Sequence, residues 1–231
     1  MKLNLSGELI PSRWAATYRK HGYTSGFYCP DDIRNAIDNL EFGEELLLEI
    51  NSIGGSVFDG NEIYSLLEGC NNPTRAVIQS MAASAASYMI MSCDWIEIHL
   101  PAQLMIHRAS TVAWGNSEDL QQAQQILDVT DTSILDTYCR RCGDKVSRED
   151  LAAMMENETY IGSADALRYG LVDSIIGGES NAHPGLLVAS AFNNTVKAMR
   201  TLPDIQELLQ AEKNESARLR QELENEKNKF I

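Results

Sequence analysis

The stretch Leu46-Leu47-Leu48-Glu49-Ile50 runs directly into Asn51-Ser52-Ile53-Gly54-Gly55-Ser56. A short apolar run broken by one Glu is the pattern of a strand buried on both faces, as in parallel sheets covered by helices. The paired glycines read as a turn, since glycine takes positive φ at little steric cost. A helical pattern follows through Ile63, Leu66 and Leu67 and stops at Gly69. Strand, glycine turn and helix make one βα unit.

The alternation continues outward. Upstream, residues 1–10 read as a strand ended by Pro11, and 31–40 as a helix with Pro30 at its start. Downstream, 76–79 is a strand and 82–91 a helix, and Trp95–His99 and 104–106 are further strands. A long helix runs from Asn116 or Ser117 to Cys142, with Gly143 as its stop. Ser147 and Asp150 open a helix carrying Leu151, Met154 and Met155. Ser163–Tyr169 forms a last short helix ending at Gly170, before a strand over 171–176. Strands and helices in turn imply right-handed βαβ units and an α/β fold over residues 1–177. Residues 178–203 read as a linker. Residues 204–231 form a charged tail, helical or disordered, with a weak coiled-coil seam at Ile205, Leu209, Glu212, Ser216, Leu219, Leu223, Glu226 and Phe230.

The 231 residues are 44% hydrophobic and 23% charged, ordinary for a globular chain and incompatible with collagen or wholesale disorder. Nineteen Lys and Arg against 33 Asp and Glu give a net charge of -14, which argues against binding nucleic acid or anionic membrane surfaces. The apolar run 81–91 is too short to span a bilayer, and MKLNLSGELI lacks the apolar core of a secretion signal. Five scattered cysteines (Cys29, Cys70, Cys93, Cys139, Cys142) suit reduced thiols in cytoplasm, including the lone Cys139-Arg140-Arg141-Cys142 pair, which sits at a helix end. The sequence gives no warrant for a metal or nucleotide cofactor.

Three segments have chemical potential. Gly54 and Gly55 in NSIGGS are either a plain turn or a place where backbone N–H groups face an oxyanion. Gln79-Ser80-Met81-Ala82-Ala83-Ser84-Ala85-Ala86 carries a strand into a helix of small residues. Ser84 is the attractive nucleophile, flanked a helical turn away by Ser80 and Ser87, although small residues also serve tight packing. His107, in Leu104-Met105-Ile106-His107-Arg108, is either a structural histidine or a general base. His21, His99 and His183 lack a comparable setting.

With NSIGGS, SMAASAAS, MIH and ETYIGSADALRYGLVD in this order, residues 1–177 resemble the ClpP family of serine peptidases. Within it, the chain looks most like the ClpP-related head maturation (prohead) proteases of tailed bacteriophages. The resemblance implies a crotonase-like fold of stacked ββα units, Ser84 as nucleophile and His107 as base. Gly55, with Gly54 beside it, and Ala85 would form the oxyanion hole. Glu158, two residues before Tyr160, occupies the position where the family carries its triad aspartate. Ile53 and Ala86 depart from the family's usual proline and glycine. Also implied are homo-oligomeric rings, possibly heptameric or double, no cofactor, and scaffold and capsid proteins as substrates within a procapsid in host cytoplasm. A host-type Clp subunit serving an ATP-driven AAA+ unfoldase is the alternative, and a catalytically idle ring component is another.

Overall fold

Strands β1 (Lys2–Leu9), β2 (Phe27–Tyr28), β3 (Leu46–Gly55), β4 (Thr74–Ala83), β5 (Trp95–His99) and β8 (Ser174–Ile176) form a parallel sheet in the order β2-β1-β3-β4-β5-β8. This computed structural model describes residues 1–177 and 204–227; the expected linker 178–203, His183 within it, and residues 228–231 lie outside the described residues. β6 (Gln103–Ile106) pairs in parallel with the far end of β4, and β7 (Thr159–Gly162) closes on β6 as the antiparallel partner. Helices α1 (Ser12–Lys20), α2 (Pro30–Asp38), α3 (Val57–Glu68), α4 (Ala85–Tyr88), α5 (Ser117–Cys142), α6 (Arg148–Glu156) and α7 (Ser163–Tyr169) connect the strands. The α/β expectation therefore holds, with a parallel sheet at its centre.

The central strands are held by burial. Leu46, Leu48 and Ile50 of β3 and Ala76 and Ile78 of β4 are wholly inaccessible, in one core with Ile63, Leu67, Met89 and Ile90. Burying each large aliphatic chain contributes about 1.5–3 kcal/mol. Leu47 and Glu49 are only half-buried, so β3 is not covered equally on both faces as its apolar run suggested. Helix caps follow the sequence closely. Asn116 accepts from the N–H groups of Glu118 and Asp119, Ser147 accepts from that of Asp150, and Gly170 ends α7 in the left-handed region.

Three expectations need correction. NSIGG is not a turn: it continues β3 to Gly55, pairing with Ser6 to Leu9 of β1, while its pairing with β4 ends at Ser52↔Ala82. The helix expected over 82–91 shrinks to α4 and a 3₁₀ turn over Met89–Ser92, because Ala82 and Ala83 stay in β4, paired to Leu104 and Met105. The last strand begins at Ser174 rather than 171. α1, β2 and β7 were not anticipated.

A final helix, α8 (Ile205–Lys227), extends the chain. Its start docks on α1: Ile205 is buried with Ile10, Ala15, Tyr18, Phe27 and Cys29, and Leu208 and Leu209 pack alongside. Glu212 pairs with Lys20 at 3.3 Å and lies 3.7 Å from His21. The first seam residues therefore face this chain's own α1.

Candidate active site

Ser84 stands where β4 gives way to α4, with φ 54° and ψ −128°. Among the described residues only Ser84 and Glu158 (φ 47°) are non-glycines with positive φ. Such backbone costs about 1–3 kcal/mol and persists only where its surroundings impose it. Here the Ser84 N–H donates to Met105 O at 2.9 Å. Its carbonyl accepts from the Ser87 N–H at 2.9 Å and from Ser87 Oγ at 2.6 Å. The strain lifts the side chain out of the β4 ladder toward β6.

Strand register brings the partners together. Ala83 is paired with Met105, so the residue after β4 and the residue after β6 emerge side by side. His107 Nε2 and Ser84 Oγ are 2.8 Å apart. Ile106 faces Thr159 in the antiparallel β6–β7 ladder, so one further step sets Glu158 across from His107. Burial pushes the His107 imidazole below its ordinary pKa, and the Glu158 and Asp131 carboxylates partly oppose this. Among the described residues, Glu158 makes neither a hydrogen bond nor a close ion pair with the ring, so its influence is that of a nearby charge. The same carboxylate, after burial, raises the pKa of the Tyr160 phenol.

The glycines divide the work. A Cβ on Gly54 (φ 88°) would lie 2.6 Å from Ala83 O and 2.8 Å from both Ala85 N and Ser84 Cβ, so Gly54 is packed directly on the serine turn. Its own N–H is taken by Ser52 Oγ at 3.0 Å. Gly55 (φ 154°) lies against Leu9, where a Cβ would meet the carbonyl oxygen at 2.0 Å. Ala85 opens α4, so its N–H lies ahead of the helix's own hydrogen-bond ladder. With Gly54 committed, Gly55 and Ala85 remain as the candidate oxyanion donors.

Of the competing serines, Ser80 is exposed on β4 and Ser87 is wholly buried, its hydroxyl serving the Ser84 carbonyl and lying 2.6 Å from Tyr138 OH. His99 ends β5 and His21 lies near Glu212. Sequence reasoning missed Ser52, whose buried hydroxyl donates to Gly7 O at 2.7 Å and meets Tyr28 OH at 2.9 Å. It also missed Tyr138 and Asp131. The signal for Ser52 was its place inside NSIGGS. Nothing in local spacing joins residues 131 and 138 to the site.

The Cys139/Cys142 pair lies in the last turn of α5. Burial and the neighbouring Cys139 thiol push Cys142 up to about 11, against the pull of Arg141 and Lys145, so it carries no thiolate at neutral pH. Among the described residues, no group of three His, Cys, Asp or Glu is placed to hold a metal, and no helix is long and apolar enough to cross a membrane. A hydroxyl in contact with a half-buried imidazole whose pKa is lowered by burial is suited to acyl transfer.

Comparison with known proteins agrees. Residues 35–179 match the family model described as Clp protease. The chain is 32% identical over 143 residues to the ATP-dependent Clp protease proteolytic subunit of Deinococcus radiodurans, covering 61% of this chain and 69% of that protein. It is 29% identical to ATP-dependent Clp protease proteolytic subunit 1 of Borreliella burgdorferi, covering 61% and 72% respectively. With this fold, this serine turn and a family match over more than half its length, the chain belongs to the Clp protease family and is a serine-type endopeptidase.

Proposed function

We propose that Ser84, His107 and Glu158 carry out peptide-bond hydrolysis, with the N–H groups of Gly55 and Ala85 as the oxyanion hole. The 2.8 Å contact between His107 Nε2 and the strained Ser84 carries this reading. Ser84 Oγ adds to the scissile carbonyl as its proton passes to His107 Nε2, and the carbonyl electrons move onto oxygen between the two N–H donors. Collapse re-forms the carbonyl, breaks the C–N bond and gives the Nε2 proton to the leaving amine. Water then attacks the acyl-enzyme, losing a proton to His107, and Ser84 leaves with that proton restored. Glu158 favours the imidazolium formed in both halves.

Two settings for this chemistry remain. The relatives are named as proteolytic subunits of an ATP-dependent protease, which supports a subunit working beside an ATP-driven AAA+ unfoldase. The head-maturation reading, with scaffold and capsid proteins as substrates inside a procapsid, rests on the sequence resemblance and on α8, carried beyond the residues the family model matches. None of the named relatives supports it. Self-association into rings fits either setting, and the exposed Val112, Trp114, Leu120, Ile126 and Val129 at and before α5 are apolar surface suited to a second copy.

The discriminating assay gives the assembled protein an unfolded polypeptide, a folded tagged protein with AAA+ unfoldase and ATP, and a scaffold–capsid shell. Cleavage of the unfolded chain alone and of the folded one only with unfoldase and ATP is expected. Cleavage confined to the shell proteins without ATP would favour head maturation, and no cleavage of any substrate would sink the peptidase reading.

The acid limb of kcat/KM reports the free-enzyme base. Because burial lowers the His107 pKa, activity should persist as pH falls through histidine's ordinary value of about 6.5 and fail only below it. Glu158→Gln removes a charge that raises this pKa, so the limb should move lower still. The loss in kcat should fall well short of the ~10⁴ seen when a hydrogen-bonded triad acid is neutralised. A limb unmoved by Glu158→Gln would remove Glu158 from the site.

A further inference from the structure

We propose that Asp131 and Tyr138, two turns apart on one face of α5, are positioning residues that hold His107 and Ser84 in register. The inference rests on the Ser84–His107 reading and deepens it. Residues seven apart on a helix share a face, and between these two Ile134 is buried while Leu135 packs against the core. One helix surface thus reaches both halves of the reacting pair.

Each tie is a specific hydrogen-bond set. Ser87 has one hydroxyl proton, and it goes to the Ser84 carbonyl at 2.6 Å. The 2.6 Å contact with Tyr138 is therefore made by the phenol donating to Ser87 Oγ. Tyr138 and Ser87 are both almost completely buried, so the chain Tyr138 → Ser87 → Ser84 O is shielded from water. It braces Ser84, whose backbone holds a positive φ. At the other end, Asp131 Oδ1 accepts from the Ala109 N–H at 2.6 Å and Oδ2 from Arg108 Nε at 2.8 Å, with its side chain 13% exposed. These bonds clamp the two residues after His107, where β6 has ended and no ladder restrains the chain.

The charged groups around His107 are Glu158, just before β7, and Asp131 on α5. Arg108, the next residue, also feels Asp128 of α5 and Glu156 of α6. Removing the Asp131 charge should lower the imidazole pKa further, and Glu at this position should restore it. A merely structural clamp would change stability and leave the acid limb in place.

The test measures fluorophosphonate labelling rate against pH, the kcat and KM of a peptide substrate, and melting temperature. The variants are Asp131→Asn, Asp131→Glu, Tyr138→Phe and Ser84→Ala. We expect Asp131→Asn to slow labelling about tenfold and shift its acid limb downward, with Asp131→Glu returning the limb toward wild type. Tyr138→Phe should lower kcat about tenfold with KM unchanged. If that variant fails to fold, Asp131→Asn decides alone. Unchanged rate and limb in Asp131→Asn, with labelling still lost in Ser84→Ala, would overturn the inference and leave the peptidase reading intact. Labelling that survives Ser84→Ala would overturn that reading instead.

Discussion

Ser84→Ala should abolish covalent labelling by a fluorophosphonate probe and cut peptide hydrolysis by about 10⁶, with His107→Ala nearly as damaging. The two losses should not add. The hydroxyl is a poor nucleophile until Nε2, 2.8 Å away, can take its proton, so removing either group removes the same step. Residual hydrolysis in both variants would come from the N–H groups of Gly55 and Ala85, which need no serine to polarise a bound carbonyl. Fold should survive, because Ala at φ 54° bears the same backbone strain and loses one side-chain hydrogen bond worth about 1 kcal/mol. Probe labelling that persists in Ser84→Ala, with Ser80 or another hydroxyl modified, would defeat the assignment. So would a wild-type assembly that never labels.

How Ser84 comes to meet His107 was only partly legible in the sequence. The apolar run at 46–50 and the Met-Ile-His end of β6 have local patterns that put their strands close to where they lie, while the small residues around Ser84 mark the site but not where β4 ends. The chemistry, however, depends on register between strands far apart in sequence. Ala83↔Met105 and Ile106↔Thr159 are pairings no single-strand periodicity specifies. β7 is a four-residue strand whose burial does not alternate cleanly, so neither its existence nor its antiparallel direction could be read from residues 159–162 alone.

Local propensity misled at two points for one reason. Gly54 and Gly55 resemble turn punctuation, and Ala82 and Ala83 resemble the start of a helix. In the fold, all four are strand residues where backbones approach closely: the glycines between β1 and the serine turn, the alanines against β6. Small side chains were selected there by space, not by turn or helix preference. The buried hydroxyls show the converse limit. Spacing alone does not set Ser87 apart from Ser84, because it cannot separate a reactive hydroxyl from one occupied by a carbonyl and by Tyr138. Tyr138 and Asp131 gave no signal, since their roles exist only once α5 lies across the site.

Gly54→Ala is expected to damage both stability and catalysis, because the added methyl would press directly on the serine turn. Two costs should be separable by a control. Gly43 also has positive φ, 81°, but nothing lies within 4 Å of a Cβ placed there. Gly43→Ala should therefore cost only the left-handed backbone penalty of roughly 1–2 kcal/mol and leave labelling at the wild-type rate. Gly54→Ala carries the same penalty at φ 88° plus overlap with Ala83 O, Ala85 N and Ser84 Cβ, adding about 1–3 kcal/mol. Two of those three atoms are backbone and the third is the root of the nucleophile, so no rotamer change relieves the contact. Relief must come from moving the serine turn, which would spoil the 2.8 Å contact with His107 and the placement of the Ala85 N–H together. A shift near 1 Å at reacting atoms costs about 10² in rate, so labelling should fall at least that far while Gly43→Ala labels normally. Equal melting shifts and equal labelling in the two variants would mean that Gly54 serves backbone conformation alone. Its contact with Ser84 and Ala85 would then be incidental to catalysis, although the family-level peptidase assignment would stand.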